Sequence, residues 1–279
     1  MQKKMKHEGK EMEIKMDRKT EKIMEESEQF LIGIGEEFAP HVPAWDGPKC
    51  LEPFYISQYY AQLPDEHEVL QAYRKLREQI GERPYFVVTL NTDDLIFRAG
   101  FEPEQVVAPC GSNGKLQCSE HIVEAEKIAQ CVMKAYQDEI EQKPEILKCR
   151  MEGMEQKGQE ILKKYASCPV CGKALEAHTI KNDGYLENGY LPQWESYKKW
   201  LATTLNKKLC VMELGVGFQY PQVIRFPFER TVFYNKKAMF VRVHSKFPQI
   251  EAELADKAVT VKKSPVEWLL TEETDDLDR

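Results

Sequence analysis

Two short motifs carry the most specific chemistry in these 279 residues. Cys168-Pro169-Val170-Cys171-Gly172 sets two thiols on one tight turn, the form of a zinc knuckle, in which two thiolates share a tetrahedral ion. A redox dithiol has the same spacing, but it normally opens a helix of a thioredoxin-like unit, and no such unit surrounds this one. Upstream, Cys118 and His121 form a Cys-x-x-His pair able to complete the site, with Cys131 as the alternative fourth ligand. Four protein ligands fill the coordination shell, so the expected zinc is structural rather than catalytic.

The second group of residues sits where strands end. Gly33-Ile34-Gly35 follows the apolar run Phe30-Leu31-Ile32, and Gly215-Val216-Gly217 follows Leu209 to Leu214. Neither turn is a full dinucleotide fingerprint. Glycines in both places nevertheless let backbone approach a phosphate or ribose closely. Asn91 and Asp93 follow a third strand, Tyr85 to Leu90. Taken alone, they read as strand-end caps, where Asn and Asp are frequent.

The elements that must position these groups alternate. Strands are expected at 30–32, 85–90, 106–107, 209–214 and 239–243, the last being the final convincing one. Helices are expected at 65–80, across 122–165 with Pro144 interrupting, and at 194–205, with 182–192 a loop. Strand–helix alternation with glycine turns at strand ends predicts a doubly wound parallel α/β sheet whose ligand crevice lies at the carboxyl ends. Residues 1–28 read as a charged helix or arm, and 271–279 as an acidic tail.

Composition narrows the function classes. A hydrophobic share of 42% and a charged share of 30% suit a globular α/β domain with an inserted module. A net charge of −7 argues against nucleic acid as the main partner, because phosphate binding needs a basic face. No apolar run reaches the ~20 residues of a bilayer span, and the N-terminus lacks a signal-peptide core. A cytoplasmic location is the expectation, and the eight cysteines are then thiols or ligands before they are disulfides.

The stretch from Thr89 to Cys118 ties the groups together. It runs Thr89-Leu90-Asn91-Thr92-Asp93-Asp94-Leu95, then Arg98-Ala99-Gly100, then Cys110-Gly111-Ser112, then Cys118. This resembles the sirtuin family, which carries Thr-Gln-Asn-x-Asp-x-Leu at a strand end, an Ala-Gly pair, and His-Gly-Ser eight residues before its first zinc cysteine. The interval from Gly33 to Pro43 also matches. Leu214-Gly215-Val216-Gly217-Phe218 and Ile224-Arg225-Phe226-Pro227-Phe228-Glu229 look most like the macrodomain-associated branch, linked to protein ADP-ribosylation.

The resemblance covers roughly residues 30–250. It implies a discontinuous Rossmann-like domain over 29–115 and 192–270, a zinc-binding small domain over 116–191, and NAD held between them. It further implies that Asn91 orders the nicotinamide ribose, that Asp93 meets the carboxamide, and that Gly33, Gly35, Gly215 and Gly217 approach the cofactor. His244 stands where the family has an asparagine on the adenosine ribose. Cys110 occupies the position of the general base, and a thiol with an ordinary pKa of ~8.5 is a poor base unless that value falls. Ile34-Gly35-Glu36-Glu37 replaces an alanine-glycine-hydrophobic-serine turn. Ala44-Trp45-Asp46 replaces Asp-Phe-Arg.

Two functions follow as expectations. One is an NAD-dependent protein-modifying enzyme, an ADP-ribosyltransferase or deacylase, acting on a protein that bears an acylated or lipoylated lysine. The other is an inactive relative that binds NAD, ADP-ribose or a protein partner. The direction in which Glu36 and Glu37 point separates them.

Overall fold

A computed structural model describes residues 19–142 and 151–271. Residues 19–26 are helical; residues 1–18 of the charged arm, Pro144 and residues 272–279 lie outside the described residues. Nine strands are assigned among the described residues, in two sheets.

The larger sheet has six strands, all parallel, in the order β3-β2-β1-β7-β8-β9. β1 is Gln29–Ile34, β2 Tyr85–Thr89 and β3 Val106–Val107; β7 is Leu209–Leu214, β8 Met239–Val243 and β9 Ala258–Val261. Every residue of β2 and β7 is buried, as a parallel sheet covered on both faces requires. Side chains leave β1 alternately. Phe30, Ile32 and Ile34 join one core, with α2 (Glu68–Ile80) and α8 (Pro265–Leu270). Leu31 joins the other, with α6 (Leu191–Thr203) and α7 (Arg225–Tyr234). This period of two fixes which face each helix covers.

Helix α2 shows why its sequence folds as it does. Val69, Leu70, Tyr73, Leu76 and Ile80 fall on one buried face. His67 caps the start, its Nδ1 accepting from Val69 N–H at 3.2 Å, and Gly81 ends the helix at φ +62°. The left-handed region favours glycine there.

The smaller sheet is antiparallel, in the order β5-β4-β6: Ile122–Glu124, Gly111–Gln117 and Glu176–Thr179. Helices α4 (Glu126–Gln142) and α5 (Met151–Tyr165) cover it around Leu116, Ala129, Val132, Met133 and Ile161. Leu51 and Phe54, at the start of α1 (Glu52–Ala61), pack into the same core.

Three expectations of local structure change. Residues 122–124, expected to be helical, form β5. A sixth parallel strand, β9, follows β8, which is therefore not the last. Helix α6 begins at Leu191, inside the expected loop. β9 is only Ala258–Val261, with Ala258 and Thr260 part-exposed, so it lacks the apolar run that marks a central strand.

The chain enters the large sheet at β1 and later returns beside it at β7, so the strand order reverses between them. The register aligns Ile34 with Thr89 on one side and with Leu214 on the other. The turns after β1, β2 and β7 therefore emerge together, at the place where open α/β sheets hold ligands.

Candidate functional site

The four residues expected to hold zinc converge. Cys118, His121, Cys168 and Cys171 place their ligand atoms within 4.8 Å of one another. Cys118 Sγ lies 3.6 Å from both His121 Nδ1 and Cys171 Sγ. Two sulfurs at ~2.3 Å from a tetrahedral zinc are about 3.8 Å apart, so the donor set and its spacing fit that ion. The Cys118 sulfur also receives the N–H groups of Glu120 at 3.5 Å and His121 at 3.3 Å, which stabilise a thiolate. Cys131 lies on an exposed face of α4, outside the cluster, whereas His121 falls within it. The cluster joins the β4–β5 turn to the segment before β6, so the ion would staple the small lobe.

Between the lobes lies a cleft of ≈ 1500 Å³ whose lining includes Glu36, Tyr60, Leu90, Asn91, Asp93 and Cys110. Asn91 and Asp93 are buried at the end of β2. Thr89 Oγ1 receives Asn91 N–H at 3.1 Å, and Asp93 Oδ1 receives Leu95 N–H at 2.9 Å. Asn91 Nδ2 and Asp93 Oδ2 are buried and make no well-formed hydrogen bond among the described residues; the Asn91 amide stands near the buried Tyr73 hydroxyl, where burial raises the hydroxyl's pKa and the amide opposes that rise. Simple strand-end caps would not leave one donor and one acceptor orphaned beside a cleft. Burial pushes the Asp93 carboxyl up to about 7, with Leu95 N–H opposing and the Asp94 charge adding. Asp94, at φ +59°, bonds the Ser112 hydroxyl, and burial pushes its carboxyl up to about 6. That bond ties the β2 turn to β4 of the small lobe.

Cys110 is 4% exposed, and burial pushes its thiol up to about 11. Arg98 is engaged elsewhere, donating to the carbonyls of Tyr60 and Leu63 and to Asp65. The thiol is therefore protonated at neutral pH, the opposite of what a base needs.

The four glycines do different work. Gly33 sits under α7, where a Cβ would collide with Ile224 and Phe228; it serves helix–sheet packing. Gly35 and the residues Gly215 and Val216 meet backbone to backbone. Gly215 takes φ +68° with Glu37 against it, and Gly217 has the Glu36 carboxylate over it. His244 is buried at the end of β8; its Nδ1 faces Lys246 N–H at 3.1 Å and Glu37 Oε2 at 3.0 Å, while Nε2 has no partner among the described residues. The two glutamates thus part: Glu37 turns to β8, and Glu36 faces the cleft.

One constellation escaped sequence reasoning. Glu213 of β7 and Arg242 of β8 are register partners, both fully shielded. Arg242 Nε and Nη2 donate to the two Glu213 oxygens at 2.8 and 3.1 Å, and Nη2 also to Glu229 at 2.7 Å. Arg225 lies alongside, its Nε 4.0 Å from Glu213. The available signal was a single charge of opposite sign in each of two otherwise apolar strands.

This architecture is the sirtuin fold. It aligns with a Sir2 protein bound to an acetylated peptide at a TM-score of 0.50 and 14% identity, over 90% of this chain and 94% of that one. No family model matches the sequence. Among curated proteins, the chain is similar to a protein ADP-ribosyltransferase of Staphylococcus aureus (strain Mu50 / ATCC 700699), with 22% identity over 222 residues. It is also similar to a probable bifunctional ADP-ribose hydrolase/ADP-ribosyltransferase of Fusarium oxysporum f. sp. cubense, with 28% identity over 151 residues. These matches cover 77% and 53% of this chain, and 63% and 23% of the two relatives, so the chain spans less than two thirds of either. No helix among the described residues is long and apolar enough to cross a membrane.

Proposed function

We propose that the chain holds a nicotinamide dinucleotide in the inter-lobe cleft and serves as an NAD-dependent protein ADP-ribosyltransferase of sirtuin type. One observation carries the reading: the orphaned Asn91 amide and Asp93 carboxyl, buried at the cleft beside the sheet's switch point. The likeness to two ADP-ribosyltransferases directs it toward ADP-ribose transfer. The bound cofactor supplies the activated bond between nicotinamide and ribose. Asn91 Nδ2 donates to a ribose hydroxyl and fixes its orientation. Asp93, protonated on part of the molecules near pH 7, bonds the carboxamide through Oδ2. The acceptor is a protein side chain reached through the open cleft, and an acylated or lipoylated lysine-bearing protein is the substrate class to test first.

A second reading is favoured by Cys110: dinucleotide binding without turnover. Its protonated, buried thiol offers no base for a ribose hydroxyl. Two measurements separate the readings. Calorimetric titration with NAD and ADP-ribose tests binding, and failure of both to bind refutes either reading. Nicotinamide release on incubation with acylated and lipoylated carrier proteins tests turnover. Binding without release leaves the second reading standing.

A further inference from the structure

The turn after β1 does not leave the sheet's edge open. Glu37 N–H donates to Gly215 O at 3.2 Å, so the turn crosses the end of β7. Its carboxylate then latches onto the segment after β8. Oε2 accepts from Ser245 N–H at 2.9 Å, and Oε1 accepts from the Ser245 hydroxyl. Glu36 takes no part in this latch. The Glu36 carboxylate lies over Gly217, where a Cβ would collide with it, and it lines the cleft. Its charge is felt at Arg225 and at His244.

Arg225 is 3% exposed. Its Nη2 donates to Val216 O at 3.0 Å and Phe247 O at 2.8 Å, while its Nε is buried without a hydrogen-bond partner among the described residues. A glycine turn at a switch point, with a buried guanidinium held to its Val216 carbonyl, is a place for a ligand's anion, even though Glu213 at 4.0 Å already offsets part of that charge. Here a carboxylate of the chain already stands there.

We propose that Glu36 is an internal competitor for the pyrophosphate of the dinucleotide: it covers Gly217, must swing away on binding, and sets the affinity through its charge. This rests on the dinucleotide reading above and adds the residue that limits it. Glu37 and Ser245 hold the turn; Glu36 itself is exposed and free to rotate without breaking the core.

The test is calorimetric titration of wild type, Glu36→Gln and Glu36→Ala with ADP-ribose and with adenosine, in low and high salt. Both variants should bind ADP-ribose about 10-fold more tightly, ~1.4 kcal/mol. Adenosine, which has no pyrophosphate, should bind all three alike. The gap for ADP-ribose should shrink at ~1 M salt, where the Debye length is ~3 Å. Equal or weaker ADP-ribose binding by both variants overturns the inference while leaving the dinucleotide reading intact, and so does an equal gain for adenosine. Absence of ADP-ribose binding in all three proteins overturns both.

Discussion

Asp93→Asn tests whether the site stores strain, and pH provides the lever. Burial raises the Asp93 carboxyl from the ordinary 3.8 to about 7 in the folded chain. Between those values the folded protein holds a proton that the unfolded chain has lost. Stability must therefore fall as pH rises through this window and level off above about pH 7. The gap of roughly 3 pH units corresponds to a loss of up to ~4 kcal/mol. An asparagine cannot ionise, so the variant should lack this decline. Its new amide N–H₂ adds a cost of ~1–3 kcal/mol if it finds no partner, but that offset does not vary with pH. Asp94, raised to about 6, titrates in both proteins and leaves a residual slope. The assay is urea unfolding of wild type and variant at pH 5, 6.5 and 8. The variant should gain ~2–3 kcal/mol relative to wild type between the extremes, since pH 5 to 8 crosses about two of those units. Parallel stability curves would refute the burial argument and, with it, the idea that Asp93 waits for a ligand.

The remaining expectations are more direct. Elemental analysis should find one zinc per chain, and Cys168→Ser should lose it; unchanged zinc content would void the ligand set. Arg242→Met should cost ~3–5 kcal/mol in denaturant unfolding, because buried Glu213 loses both its hydrogen-bonded donors and keeps only Arg225 at 4.0 Å, whereas adding Glu213→Gln should restore most of it. Iodoacetamide should label Cys110 slowly at pH 7 and faster only toward pH 11, since its thiol is pushed up to about 11. Rapid labelling slowed by NAD would instead mark an activated thiolate and remove the binding-only reading.

The parallel sheet was legible in the sequence because central strands buried on both faces need predominantly apolar runs, and 30–32, 85–90, 209–214 and 239–243 supply them, with one charge in each of the last two. The Cys3His cluster was legible because a knuckle is local: Cys168 and Cys171, like Cys118 and His121, stand at spacings that one turn can close. Which residue completes the set was decided by tertiary structure, since the exposed face of α4 carries Cys131 away from the cluster. β4 and β6 were not legible. Their ladder joins residues on either side of two helices, and Gly111–Gln117 alternates poorly because its middle residues are part-exposed. The same reason hid the site's electrostatics. A glutamate's spacing cannot say whether it turns to Ser245 or lies over Gly217, and an aspartate after a strand is an ordinary cap until the fold buries it. The sequence named Asn91, Asp93 and Glu36. Only the packing of two lobes against the switch point left the first two with unmet hydrogen bonds and put the third in the cleft.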